Sequence, residues 1–459
     1  MKHIYDFFAN CKLQLHIKTY SMKRFIILIF FLLPAYLFAQ ESKKILIKAG
    51  KVFNSETGVF QPEMAIYITD NIIKRVKPYA EVSEKEKNEY VLIDLSKYTV
   101  LPGLIDAHTH LLNKETIMPE NKFTGLDMMK TLTMEGDAYR AIYGAVRAKA
   151  YLEAGITSVQ DLGNSGMFAD VALRKAIENG LVDGPRMRCS GRGLSSEGGQ
   201  MPDVVYKHRE IINDEYRIIK GTEDAIQAVR ENITQGADVI KIYSNNTPNV
   251  TALSIEEMQA IVKEAHRYGV KVTAHATDNE SVYNAVISGV DGIEHGYQIA
   301  DSTMELMAKK GVVLVPTDGD SVTTLQYAKL SWPDDIKQQK NMLLYQKFLN
   351  NRLKRAIKKG VIIVAGSDDY IDFKLPYAEP SLRTLVGYYE SGMSIVDILK
   401  AATVNGAKQL NWSGKIGVIK PGAFADLIAV DHDIDKNINF ILQIQFVMKN
   451  GKVYVNKVK

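Results

Sequence analysis

The stretch Val100-Leu-Pro-Gly-Leu-Ile-Asp-Ala-His-Thr-His110 reads as a short apolar strand that runs out into two histidines. Residues two apart on a strand share a face, so His108 and His110 point the same way and can grip one ion. Seven more short runs follow: Ile156-Thr-Ser-Val-Gln-Asp161, Arg186-Met-Arg-Cys-Ser190, Val239-Ile-Lys-Ile-Tyr243, Val270-Lys-Val-Thr-Ala-His275, Gly292-Ile-Glu-His295, Val312-Val-Leu-Val-Pro316 and Val361-Ile-Ile-Val-Ala-Gly-Ser-Asp368. Amphipathic helical stretches alternate with them, as at 255–268 and 341–359. Eight strand–helix units over about three hundred residues predict an α/β fold, a parallel (β/α)8 TIM barrel. Its expected span is 101–410. A doubly wound open sheet is the alternative, but no Gly-rich phosphate loop follows the first strand.

Outside that span the rhythm changes. Residues 45–100 read as short strands separated by turn signals, and the style returns in Asp426-Leu-Ile-Ala-Val-Asp431 and Phe446-Val-Met-Lys-Asn-Gly-Lys-Val-Tyr-Val455. Asn450-Gly451 between two apolar runs is a hairpin turn. Residues 45–100 and 411–459 are expected to pair into one small β domain.

Lys23 and Arg24 precede the apolar run Phe25-Ile-Ile-Leu-Ile-Phe-Phe-Leu-Leu33, and small Ala39 precedes a polar stretch. This pattern predicts a signal peptide over 1–39, cut after Ala39, with Met22 a candidate for the true start. The run is shorter than the ~20 apolar residues of a membrane span, so no stable span is expected after cleavage. An exported protein, periplasmic or secreted, follows. Cleavage would remove Cys11, leaving Cys189 without an intramolecular partner. At 46% hydrophobic and 24% charged, stability rests on a large core instead. A formal net charge of +4, part of it from the leader, carries no nucleic-acid footprint. A small molecule or short peptide is the expected partner, and a homo-oligomer is allowed.

Four of the nine histidines, His108, His110, His275 and His295, fall at or just past predicted strand ends, the edge where barrel enzymes keep their active sites. Asp368 ends the last strand. Lys241 lies between Ile240 and Ile242, where a buried ammonium needs neutralising or pairing. A salt bridge to Asp161 would serve. Tyr243 projects to the same face as Lys241, and Arg192 belongs to a loop after the third strand. Either can meet a substrate carboxylate. Cys189 reads as a small core residue.

Taken together, the His108-Thr-His110 strand, the strand lysine, the two later histidines, Asp368 and the closing Gly417-Val-Ile-Lys-Pro-Gly-Ala-Phe-Ala-Asp-Leu427 resemble the amidohydrolase superfamily. The resemblance covers about residues 45–455. It implies a metal-centred barrel with a β-sandwich built from both chain ends. It further implies two divalent ions, zinc by default. His108, His110 and Asp368 would hold the more buried ion, and His275 and His295 the other. Lys241, carboxylated by carbon dioxide, would bridge them, with Asp368 as general acid–base. Gly184-Pro-Arg-Met187, Gly191-Arg-Gly-Leu-Ser195 and Gly236-Ala-Asp-Val-Ile-Lys-Ile242 look like the subgroup of Xaa-Pro dipeptidases and imidazolonepropionases. Two positions depart from it. Gly198-Gly-Gln200 stands where the subgroup often has Gly-Gly-His, and Gln160 stands where Arg often precedes Asp-Leu-Gly. If Gln200 touches substrate, specificity has moved.

The implied activity is hydrolysis of an amide in a small peptide or N-acyl amino acid. A cyclic-amide hydrolase, a deaminase or a lactonase could use the same scaffold, though mononuclear deaminases typically lack the strand lysine. A non-catalytic binding protein would be expected to have lost one of these six positions, and none is lost.

Overall fold

The computed structural model describes residues 42–458 apart from 118, 120–125 and 202–203. The described residues from Lys44 onward form one compact unit. The expected signal peptide, Met22 and Cys11 lie outside the described residues.

Both chain ends build one seven-stranded sheet. Its strands are β1 (Lys44–Asn54), β2 (Val59–Thr69), β3 (Ile72–Pro78), β4 (Val91–Pro102) and, far along the chain, β14 (Leu427–Asp431), β15 (Phe446–Lys449) and β16 (Lys452–Asn456), in the order β16-β15-β14-β4-β1-β2-β3. The alternation of β1 sends Ile45, Ile47 and Ala49 into a core shared with Ile66, Leu427 and Phe446, while Leu46 packs with Tyr67 on the other face. The β15–β16 turn is Asn450-Gly451, both at positive φ (52° and 69°), as a tight hairpin requires.

The stretch Val100–His110 belongs to two layers. Through Pro102 it is part of β4 in the end sheet, antiparallel to β14. From Leu104 to Thr109 it is β5, the first barrel strand, parallel to β6 (Ile156–Asp161). Gly103 is the crossing point. Its N–H donates to Asp426 O at 2.8 Å, and an added Cβ would lie 2.2 Å from Thr157 Oγ1.

The parallel strands form two arcs. One runs β5-β6-β7, with β7 at Arg186–Cys189. The other runs β13-β12-β11-β10-β8-β9, comprising β8 (Gly193–Ser195), β9 (Tyr216–Ile218), β10 (Val239–Tyr243), β11 (Lys271–Ala276), β12 (Gly292–His295) and β13 (Val313–Val315). The predicted third strand, Arg186–Ser190, is β7 and bonds to β6; just beyond it a further short strand, β8, bonds to β10. Asp238 N–H donating to Cys189 O at 2.7 Å adds a tie between the arcs.

The other seam is the predicted eighth strand, 361–368, which forms no regular ladder. Isolated bridges join Leu314 to Ile363 and Thr109 to Asp369. The reason is local. Gly366 passes so close to β5 that an added Cβ would lie 2.3 Å from Val315 Cγ1 and 2.9 Å from His108 Cβ, and Asp368 turns to φ 56°. Even so, Ala107 N–H donates to Ala365 O and Asp368 N–H to His108 O, both at 2.8 Å. Asp106 reinforces the seam by accepting from His108 N, Ser367 N and the Ser367 and Ser381 hydroxyls.

The helices cover the strands as their periodicity predicts. Ile255–Arg267 begins with a capping box between Ser254 and Glu257, and the predicted 341–359 helix starts earlier, at Ile336, because Asp335 caps it. From that second helix Arg352 reaches Asp318 Oδ1 at 2.6 Å, and both side chains are wholly buried.

Gly366→Ala is expected to destabilise the fold by about 1–3 kcal/mol through overpacking against Val315 and His108. Adding Val315→Ala should return part of that loss, read as the denaturation midpoint of the single and double variants. A Gly366→Ala protein as stable as the parent would show that the seam is loose.

Candidate metal centre

His108 and His110 leave the end of β5 side by side, with their Nε2 atoms 3.2 Å apart. Each ring is aimed by its other nitrogen. His110 Nδ1 donates to Gly163 O at 2.9 Å, and His108 Nδ1 lies 2.6 Å from Glu294 Oε2. Both Nε2 atoms therefore face Asp368, whose Oδ1 is 3.0 Å from His110 and 3.4 Å from His108. Asp368 Oδ2 lies 3.8 Å from His295 Nδ1. His108, His295 and Asp368 offer donor atoms within 4.8 Å of one another, a group able to hold a metal ion. His275, at the end of β11, packs edge-on against the His295 ring with centroids 4.6 Å apart.

Lys241 sits on β10 with 1% of its surface exposed. Its ammonium makes no ion pair within 4.0 Å among the described residues, and its recorded neighbour is the Tyr243 ring, 5.5 Å to the centroid. The expected bridge to Asp161 is absent for a simple reason. That carboxylate accepts from Leu111 N at 2.7 Å and from the Thr109 and Ser165 hydroxyls, so it faces β5 and its own loop. Burial pushes the Lys241 ammonium below its ordinary range, partly opposed by the charges of Glu294 and Asp368. Burial likewise depresses His108, His275 and His295, which favours the neutral, ligating imidazole. Burial would raise Asp368, but His108 and His110 hold it below the usual carboxylate range.

Glu294 is the central residue that the strand pattern did not single out. It is fully buried, takes a hydrogen bond from Thr273 Oγ1 on β11, and is raised by burial to about 7. A signal was present in Gly292-Ile-Glu-His295, where an acid stands inside an apolar strand as Lys241 does. Thr317 is a second such residue. Its Oγ1 lies 2.9 Å from His295 Nδ1. Thr317, His295 and Asp368 all adopt positive φ (57°, 72° and 56°), a costly conformation for non-glycine residues, and above all for a β-branched one. Such strain concentrates where side chains must be aimed.

Arg147 ties the two ligand-bearing segments from behind. Its guanidinium donates to His110 O and Asn113 O, each at 2.7 Å, and to Asp369 O. Tyr151 Oη donates to Asp369 Oδ2 at 2.8 Å.

The predicted substrate contacts divide. Gln200 Nε2 is 2.9 Å from His275 Nε2 and lines a cavity of about 200 Å³ with Asn164, Met201, Tyr216 and Tyr370. Tyr243 is buried against His275 and Tyr216, its hydroxyl 3.4 Å from Asn164 Oδ1. Arg192 is elsewhere. It donates to Asn213 O at 3.1 Å, lies 3.8 Å from Glu231 and lines a separate groove with Phe168 and Arg230, because the loop between β7 and β8 turns it outward.

An amidohydrolase family model matches residues 99–454. Ochratoxinase of Aspergillus niger is 27% identical over 456 aligned residues, spanning 90% of this chain and 87% of that protein. Imidazolonepropionase of Clostridium tetani is 23% identical, spanning 89% and 94%. Among solved structures, an Xaa-Pro dipeptidase with methionine bound in its active site superposes with a TM-score of 0.76 at 27% identity, covering 90% of this chain and 100% of that one. A. niger ochratoxinase gives 0.76 at 25% identity, covering 91% and 96%. The chain therefore belongs to the amidohydrolase family, as an enzyme of carbon–nitrogen bond hydrolysis in the branch shared by imidazolonepropionases and Xaa-Pro dipeptidases.

Proposed function

We propose that the protein is an exported hydrolase of small peptides or N-acyl amino acids that works with two divalent ions, zinc by default, and a carboxylated Lys241. The observation that carries this reading is a wholly buried lysine with no ion pair within 4.0 Å among the described residues, in a cluster of four histidines, Glu294 and Asp368. An unpaired buried ammonium is costly, whereas a carbamate at that position is an anion that metal ions stabilise. The donor set fits: imidazole nitrogens and carboxylate oxygens suit zinc, with manganese, iron and cobalt as rivals. His108, His110 and Asp368 would hold one ion, His275 and His295 the other, and Lys241 would bridge. Bound there, the ions supply Lewis acidity and a water acidic enough to react at neutral pH.

The rest falls to the chain's own groups. Asp368 is held ionised by His108 and His110, so it can take a proton from water and return it to the leaving nitrogen. Glu294 fixes the His108 ring. Gln200 lines the cavity and reaches His275, where its amide can orient a carbonyl or carboxylate, while Tyr243 packs against that histidine ring. A cavity of about 200 Å³ suits an amino-acid-sized group, and the similar Xaa-Pro dipeptidase holds methionine in its active site. Export rests on the Lys23–Ala39 pattern. No helix among the described residues is long and apolar enough to cross a membrane.

Metal-loaded protein is expected to hydrolyse members of a dipeptide and N-acyl amino acid library, and Asp368→Asn should lower kcat/KM by roughly 10²- to 10⁴-fold. Turnover of lactones or cyclic amides alone would refute the substrate class. Lys241→Met should abolish both uptake of the second ion and the carbamate signal seen by NMR with ¹³C-bicarbonate. A persisting signal would rule out Lys241 as the bridge. Glu294→Gln should weaken metal binding by about 10- to 100-fold in competition with a chelator while leaving the circular dichroism unchanged.

A further inference from the structure

Thr317 follows strand β13 and touches His295. Its hydroxyl has one proton, which it donates to Pro316 O at 2.7 Å, so toward His295 Nδ1, 2.9 Å away, it can only accept. That places the imidazole N–H on Nδ1 and leaves the lone pair on Nε2. The Tyr297 hydroxyl is the next group, 3.3 Å from the same nitrogen. A β-branched residue does not take φ 57° unaided, so the chain on either side must hold Thr317 there.

The three residues after it are each pinned from outside the strand. Asp318 Oδ1 accepts from Arg352 Nη2 at 2.6 Å, Gly319 O accepts from Gln346 Nε2 at 2.8 Å, and Asp320 Oδ2 accepts from Arg383 Nη1 at 3.0 Å. Arg352 and Gln346 both belong to the long helix Ile336–Lys358. The pair nearest to Thr317 is badly saturated for a stabilising one. Asp318 and Arg352 are wholly buried, yet Asp318 Oδ2 and Arg352 Nε and Nη1 have no hydrogen-bond partner among the described residues. Two buried charges joined by a single bond gain little over an apolar pair of the same size. What the pair does supply is a fixed place for the residue that follows Thr317.

We propose that Asp318 and Arg352 are positioning residues of the metal centre, which act through Thr317 to aim the His295 ring. This rests on the reading of His295 as a metal ligand.

The full chain is to be titrated with zinc alone in competition with a chelator, with the denaturation midpoint of the metal-free protein read alongside. Asp318→Asn/Arg352→Met removes both buried charges together, so the protein should still fold. Its zinc affinity should fall by about 10- to 100-fold, as on losing a partner that orients a ligand. Thr317→Val, of the same shape without the hydroxyl, should lose a similar amount. Because the pair acts through Thr317, all three substitutions combined should bind zinc no more weakly than Thr317→Val alone, whereas an independent structural role would add its own loss. Arg352→Lys keeps the one bond that Arg352 makes to Asp318 and should retain most of the affinity. A double variant that does not fold or that binds zinc as the parent does, additive losses in the triple variant, or Arg352→Lys as weak as the double variant would each overturn the assignment. A parent that takes up no zinc would overturn the metal reading itself, and this one with it.

Discussion

The contact on which this structure turns is the crossing of 361–369 against β5. Two backbone hydrogen bonds, Ala107 to Ala365 and Asp368 to His108, join the last barrel segment to the first. The same two bonds carry Asp368 to the histidines it faces. The segment that meets the first barrel strand therefore also brings the donor group together. Gly366 makes it feasible, since any side chain there would press on Val315 and His108. Asp106 and Arg147 hold the crossing from either side, one by accepting backbone and hydroxyl hydrogen bonds and the other by donating to carbonyls next to the ligands.

Around that crossing the molecule concentrates features that a stable core avoids. A wholly buried lysine, a glutamate raised to about 7 and three non-glycine residues at positive φ lie within one cluster. Each is unfavourable alone. The surrounding barrel over-determines their positions through Thr273, Thr317, Gly163 and Glu294, which aim the donor atoms. Preorganisation of this kind is what hydrolytic chemistry at a metal requires.

Much of this was legible along the chain because the barrel repeats a simple alternation. Short apolar runs with a histidine or acid at the end announce inward-facing strand termini, and the spacing of His108 and His110 determines that they share a face. Glu294 escaped notice although it carries the same signal as Lys241, since its neighbour His295 explained the strand end without it. Arg192 lies in the loop after the third strand, as expected, but nothing in Gly191-Arg-Gly reveals that the next strand joins the other arc and that the arginine lines a separate groove.

By itself, then, the sequence determined the alternation of strands and helices, the small sheet from both ends and the identity of the chemistry-bearing residues. These depend on periodicity and residue type, which are local properties. Only the tertiary structure decided that Lys241 makes no close ion pair among the described residues, that Glu294 orients His108, and that Gln200 faces the cavity while Arg192 does not. Each of these is a relation between segments tens to hundreds of residues apart, set by how the two arcs meet, and no local pattern encodes it.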